Sequence, residues 1–311
     1  MLGEFEFIQN IKKKYRLEKV GDDCAVLPKD DKTDQVITAD LLIEDIDFHL
    51  EWTEPEYLGH KAHAVSLSDI AAKGAEPKWA MLSLGIPENL WKSDFIDGFY
   101  DGWFALAKEF NVELVGGDVS RTPDKIVIDS IVGGEVPKGK AILRSGANVG
   151  DAIYVTGELG SAAAGLWQLK NGMTIQSDFV ARQLKPRPHA GSAKQLQSLG
   201  VIHSMIDMSD GLSSDLAHIC DASGVGAKIY ADQIPIASEL LAQFGAKQSF
   251  DFALNGGEDF ELLFTAEEKN FLLPQSVKIS KIGEITSDIG KIELIRDGKT
   301  EILQPKGYRH F

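Results

Sequence analysis

Glu56-Tyr57-Leu58-Gly59-His60-Lys61-Ala62-His63-Ala64-Val65-Ser66-Leu67-Ser68-Asp69-Ile70-Ala71-Ala72-Lys73-Gly74-Ala75-Glu76-Pro77 reads as one helix and its stop. Ala and Leu favour helix through residue 73, and Gly74 followed by Pro77 ends it. Asp69 stands in line with Leu58, Ala62 and Val65, while Leu67, Ile70 and Ala71 make the opposite side apolar as well. A helix that is apolar nearly all round is a buried helix. An ionised carboxylate on it must be paired or coordinated, because burying it alone costs on the order of several kcal/mol. Arg, Lys or a metal ion would each meet that demand. His60 and His63 read as a helix-surface pair rather than as metal ligands.

Strands and helices interleave on both sides of this helix. Upstream, residues 3–16 carry apolar side chains at helical spacing, Gly21-Asp22-Asp23 turns into the apolar run 24–27, and residues 35–43 alternate as a strand. That alternation puts Val36, Thr38 and Asp40 on one face. Downstream come a strand at 79–86, a long helix capped by Ser93 and reaching Phe110, a strand at 113–115 that runs into Gly116-Gly117-Asp118, and a strand at 126–132. Pro137-Lys138-Gly139-Lys140 predicts a boundary between domains 1–138 and 139–311. Beyond it lie a strand at 152–156, helices at 157–170, 178–184 and 191–199, a helix with Leu212, Leu216 and Ile219 in register, and strands at 227–231, 261–265 and 292–296. The expected class is α/β (α+β) in two domains, which 311 residues can build without disulfide staples.

Composition removes several function classes. With 32 basic against 47 acidic side chains the net charge is −15, which repels duplex nucleic acid and anionic membranes. Lys12-Lys13-Lys14 reads as the wet face of the first helix. Cys24 and Cys220 sit outside any metal-ligand spacing and read as free thiols of a reducing compartment. MLGEFEFIQN lacks the basic and apolar regions of a signal peptide, and no stretch approaches the ~18 apolar residues needed to span a bilayer. The expectation is a cytoplasmic enzyme with no nucleic-acid or membrane partner.

Its chemistry is carried by aspartates at the ends of apolar segments: Asp22, Asp23, Asp40, Asp69, Asp118, Asp207 and Asp210. Singly, Asp beside Gly is turn chemistry. Should they converge, two carboxylates ~4 Å apart repel by about 4 kcal/mol at an effective dielectric near 20, and a cation is required. An all-oxygen set without His or Cys favours Mg²⁺ or Mn²⁺ over Zn²⁺. The Walker phosphate loop is absent; Gly298-Lys299-Thr300 imitates its tail but reads as a hairpin around Asp297-Gly298.

The chain resembles the thiamine-monophosphate kinases, of the aminoimidazole ribonucleotide synthetase-like superfamily. The motifs that carry the resemblance run in the family's order: GEF at 3–5, GDDCAVL at 21–27, TAD at 38–40, SLSDIAAKGAEP at 66–77, GGD at 116–118, LRSGA at 143–147, YVTG at 154–157, SDGL at 209–212, GGEDFEL at 256–262 and KGYRHF at 306–311. The resemblance implies an N-terminal mixed sheet with helices and a C-terminal α/β sandwich, joined in a homodimer that pairs the N-terminal sheets. It implies Asp23, Thr38, Asp40, Asp69, Asp118, Asp207 and Asp210 as ligands of several Mg²⁺ ions, with Asp40, Asp118 and Arg144 closest to the chemistry. Gly117, Asp118, Arg144 and Ser209 match positions that contact ATP, and Asp47, Glu258 and Tyr308 positions that contact thiamine phosphate. One departure is Ala39, where some relatives carry a hydroxyl residue and this chain offers only a carbonyl.

The implied reaction moves the γ-phosphoryl group of ATP to thiamine monophosphate, giving thiamine diphosphate. A phosphate monoester is largely dianionic near neutrality, so no general base is required; positioning and charge neutralisation suffice. Two other readings remain at this point. One is a selenophosphate synthetase-like enzyme, against which the N-terminus lacks the reactive Cys and Lys; the other is a non-catalytic nucleotide or metal sensor.

Overall fold

Alternation at 33–43 and a buried helix at 55–72 organise the first half of the computed structural model, which describes residues 3–172, 177–268 and 278–308. In chain order this half contains α1 (Glu4–Tyr15), β1 (Ala25–Pro28), β2 (Thr33–Ile43), α2 (Pro55–Ala72), β3 (Glu76–Pro87), α3 (Glu88–Trp91), α4 (Phe95–Phe110), β4 (Glu113–Thr122) and β5 (Val127–Pro137). The second half contains β6 (Ala152–Thr156), α5 (Ser161–Lys170), α6 (Asp178–Leu184), α7 (Ala190–Leu199), β7 (Ile202–Asp207), α8 (Leu212–Ser223), β8 (Gly226–Tyr230), α9 (Ser238–Asn255), β9 (Leu262–Ala266), β10 (Ile279–Thr286), β11 (Ile292–Arg296) and β12 (Lys299–Ile302). The first sheet has the order β1-β2-β5-β3-β4, antiparallel except for β3–β4. The second has the order β12-β11-β8-β10-β6-β9-β7, antiparallel except for β8–β11.

Helix α2 lies between the two. One side packs on β2, β3 and β5, α4 covers another, and α7 and β7 of the second half close the rest. Ala71 belongs to the same apolar cluster as Met205, Leu262 and Phe264, so the helix is shared by both halves. Backbones approach closely where α4 crosses it: a Cβ at Gly102 would fall 1.8 Å from the Glu56 carbonyl oxygen. Enclosure explains why most positions of α2 are apolar or hydroxylated.

Several expectations change. His60 and His63 are buried rather than on a helix surface, because α4 and the second half cover the side that looked wet. The strand expected to stop before Gly116-Gly117-Asp118 continues through it to Thr122, paired in parallel with β3. Strands β7 and β10 and helix α9 carried no clear period and went unread. The Asp297-Gly298 hairpin joins β11 to β12, with both turn residues at positive φ. Residues 309–311 of the last motif lie outside the described residues. No helix among the described residues is long and apolar enough to cross a membrane.

His63 packs in a tilted arrangement on Trp103, 4.3 Å between ring centroids, and is fully buried. Burial, with a smaller contribution from His60, pushes its pKa down to about 3. The folded chain therefore refuses a proton that the unfolded chain accepts below the ordinary 6.5. This stability is complete above that value and is lost, at about 1.4 kcal/mol per unit, as pH falls toward the folded value. Urea unfolding of wild type and His63→Leu at about pH 7.5 and about pH 5 should show their stability difference moving about 2 kcal/mol in the variant's favour at the lower pH. A difference that does not move would contradict neutral burial of this ring.

Candidate active site

Each wall of the site is a consequence of local folding. The pleat of β2 turns Thr38 and Asp40 inward toward α2, whose Ser66, Asp69 and Lys73 follow at helical spacing. Ser66 Oγ donates to Asp40 Oδ2 at 2.7 Å, and Thr38 Oγ1 donates to Asp69 Oδ2. Ser68 Oγ reaches across to the end of β7 and donates to Asp207 Oδ2 at 2.6 Å. Asp23, Asp69 and Asp207 each bring an oxygen within 4.8 Å of the others.

Two cations answer part of this charge. Lys73 Nζ, fully buried, lies 2.6 Å from Asp23 Oδ2 and also bonds Asp22 Oδ1. Arg144 Nε donates to Asp23 Oδ1 at 2.6 Å, while its backbone N–H donates to Asp22 Oδ2 at 3.0 Å. Asp23 is thus tied off by Lys73 and Arg144. Burial alone would raise its pKa, but these two cations outweigh burial and hold it below the usual value. Asp40, Asp69 and Asp207 have no ion pair of this kind among the described residues. Burial, with Asp23 and Asp129 behind it, pushes Asp40 up to about 6 against the Ser66 bond. Burial and then Asp23 push Asp207 up to about 7. Asp69 is raised by burial and by Asp40, Asp207 and Asp23.

Five carboxylates, Asp22, Asp23, Asp40, Asp69 and Asp207, therefore face two fixed cations. The donors are hard oxygens only, and the deficit is positive charge. Mg²⁺ fits such a set, and a thiolate-seeking metal does not.

A cleft of about 1560 Å³ opens over these groups between the two halves. Arg144, Ser209 and Asp210 line it, as do Asp47, Glu258 and Tyr308. Asp210 stands in a second group with Asp215 and His218. Gly117 and Asp118 are not brought there. They lie exposed on edge strand β4, in register with Leu82 and Ser83 of β3. Gly117 serves the strand itself: with φ at 150°, a Cβ there would sit 1.9 Å from the Leu82 carbonyl oxygen.

Residues 21–136 match the N-terminal domain, and residues 148–292 the C-terminal domain, of the AIR synthase related proteins. The chain is 38% identical to thiamine-monophosphate kinase of Escherichia coli K12, over 99% of this chain and 98% of that one. It is 37% identical to the Bacillus subtilis thiamine-monophosphate kinase, over 94% and 93% of the two chains. It belongs to the thiamine-monophosphate kinase family. A solved structure described as AaThiL complexed with AMPPCP and TMP superposes with a TM-score of 0.90 at 33% identity, covering 100% of this chain and 97% of that one. The thiamine-monophosphate kinase of Stenotrophomonas maltophilia gives a TM-score of 0.79 at 36% identity, over 96% and 98%. The mixed α/β fold of two AIR synthase related domains is thus that of the thiamine-monophosphate kinase family.

The sequence reading passed over Lys73, Ser66 and Ser68, and named Asp22 without giving it a role. Lys73 follows Asp69 by one helical turn, and the two serines precede Asp69 by three residues and by one; those spacings were the available signals.

Removing one of the unanswered carboxylates should relieve repulsion in the metal-free chain. Asp69→Asn is expected to raise the thermal midpoint in EDTA near neutral pH by a few degrees, about 2–4 °C for each kcal/mol relieved. A lower midpoint would mean that Asp69 is a stabilising partner rather than a source of strain.

Proposed function

We propose that the protein is an Mg²⁺-dependent kinase that transfers the γ-phosphoryl group of ATP directly to thiamine monophosphate, giving thiamine diphosphate and ADP, as the last step of thiamine diphosphate synthesis in the cytoplasm. What carries the reading is a buried, under-neutralised set of carboxylates beneath a cleft wide enough for both substrates, in a chain similar over its whole length to AaThiL complexed with AMPPCP and TMP.

Asp23, Thr38, Asp40, Asp69, Asp207 and Asp210 are the proposed holders of Mg²⁺, which when bound supplies the positive charge that shields phosphate oxygens from one another. Residues 1–138 and 139–311 would then contribute the two sides of one cleft. Arg144, already oriented through Asp22 and Asp23, offers a fixed cation to the nucleotide phosphates, and Ser209 a hydroxyl and backbone groups. Asp47, Glu258 and Tyr308 receive the acceptor. Its own phosphate oxygen is the nucleophile, so the chain's task is in-line alignment and water exclusion rather than proton removal.

Purified protein with ATP, Mg²⁺ and thiamine monophosphate should yield thiamine diphosphate and ADP by phosphorus NMR. Asp40→Asn should keep the circular-dichroism spectrum and lose at least about a hundredfold in kcat, on the scale of a removed electrostatic contact. Near-normal turnover by the variant would remove Asp40 from the machinery.

Asp118 and Gly117 enter the reading through a homodimer. The outer face of the first sheet exposes Leu41 to 57% together with Leu27 and Met81, and Asp118 shares that face by its register with Ser83. Stacking two such faces would bury the apolar side chains and carry Asp118 of each subunit toward the other's cleft. Light scattering should report a dimer that Leu41→Asp breaks. Co-expressed Asp118→Asn and Asp69→Asn chains should recover about a quarter of wild-type activity, from the one intact site in half of the dimers. No recovery from the mixture would confine Asp118 to its own subunit.

A further inference from the structure

Lys61 is a second lysine that this fold buries, and neither the metal set nor the nucleotide contacts use it. It sits on α2 with its side chain 4% exposed, and its Nζ lies 2.7 Å from Glu258 Oε1. Glu258 Oε2 accepts from the side-chain amide of Gln183 on α6, whose side chain is also buried. Both oxygens of this carboxylate are therefore held, one from each half of the molecule. A carboxylate only accepts, so the Gln183 nitrogen must face it and the amide orientation is settled. The Glu258 backbone is fixed as well: its φ is 65°, in the left-handed region, and its N–H donates to the Ser209 carbonyl at 2.8 Å. Two lone-pair sites remain on a group that is 29% exposed and lines the cleft.

Lys61, Val65 and Asp69 form one stripe of α2 along the cleft. At ~1.5 Å of rise per residue, Lys61 stands ~12 Å from the carboxylates at Asp69. The helix thus has a phosphate end and a far end, and the far end is where the ring system of the acceptor would lie. The charge there is cancelled, since the Lys61 ammonium offsets the Glu258 carboxylate. A cancelled but oriented carboxylate recognises a neutral hydrogen-bond donor by geometry rather than a cation by charge.

We propose that Lys61 and Gln183 are positioning residues that hold the Glu258 carboxylate as a fixed acceptor for the ring amino group of the substrate, and so set its specificity. This rests on the proposed thiamine monophosphate kinase reading. Neither side chain touches the transferred phosphoryl group, so their removal should act on acceptor binding and not on the phosphoryl step.

The test compares wild type, Lys61→Met and Gln183→Leu as full-length Mg²⁺-loaded enzymes. Each is assayed with thiamine monophosphate and with its analogue in which the pyrimidine amino group is replaced by oxygen. Both variants should raise the acceptor KM by about tenfold or more while kcat and the KM for ATP stay within about twofold. The wild-type preference for the amino over the oxo substrate should fall by a similar factor, a change that general loosening of the fold would not produce. If Lys61→Met does not fold, Gln183→Leu decides alone. An unshifted acceptor KM, an equal loss in kcat and both KM values, or a retained preference would overturn the proposal while the functional reading stood. No turnover by the wild type would overturn that reading and this proposal together.

Discussion

Placing a carboxylate on a helix enclosed on every side but its cleft stripe is the constraint to which the rest of this molecule answers. Asp69 sits on α2, and α2 is enclosed by a sheet, a neighbouring helix and the second half of the chain. Charge in such a place is tolerated only with opposite charge or hydrogen bonds beside it. The structure supplies both, unequally. Lys73 and Arg144 go to Asp22 and Asp23, whereas Asp40, Asp69 and Asp207 receive one hydroxyl each. A hydroxyl orients a carboxylate without neutralising it. The raised pKa values at Asp40, Asp69 and Asp207 are the direct expression of that shortfall. Only a group brought from solvent can complete the charge balance, and this is how an energetic defect of the fold becomes a binding site.

The same helix explains why the halves hold together around a cleft. Ser66 points to Asp40 and Ser130 of the first sheet, Ser68 to Asp207 of the second, and Lys61 to Glu258 on the far side. Three polar positions of one rod thus make different cross-connections, and the rigid spacing of the helix fixes the distances among them. The apolar residues between them supply the burial that strengthens each connection.

How far the sequence disclosed this differs by residue. The inward pair Thr38 and Asp40 followed from strand alternation, and Asp69 from a helix too apolar to face water, because both are statements about period and burial. The motifs carried the family and hence the two-domain α/β architecture. Convergence was another matter: nothing in the spacing of residues 23, 69 and 207 says that three distant segments end at one point. Period failed where both faces of an element share one environment. Helix α2 is enclosed everywhere but its cleft stripe, so His60 and His63 were misassigned to a surface, and β4 is exposed along nearly its whole length, so its continuation through Gly116-Gly117-Asp118 left no alternation to read. Lys73 was visible but was read as a helix end, because a lysine there is ordinary when the last turn is in water.

The segment from Glu258 to Glu261 shows the same logic at the opposite wall of the cleft. Glu258 and Phe260 both have left-handed backbones, with φ at 65° and 50°, which cost non-glycine residues roughly 1–2 kcal/mol each. Such a conformation persists only if neighbouring bonds over-determine it. Here they do. The N–H groups of Glu258 and Phe260 donate to the carbonyls of Ser209 and Met208, at 2.8 and 3.0 Å. Asp259 accepts from the N–H groups of Gly160 and Ala162 at the start of α5, where the helix dipole favours an anion. Glu261 Oε2 accepts from Thr156 Oγ1 at 2.5 Å and lies 2.8 Å from His189 Nε2. Asp259 and Glu261 anchor the segment in the second half, while Glu258 projects across to Lys61 of α2. The two left-handed residues therefore belong to a turn, fixed by bonds to Ser209 and Met208, that presents one carboxylate out of three to the cleft.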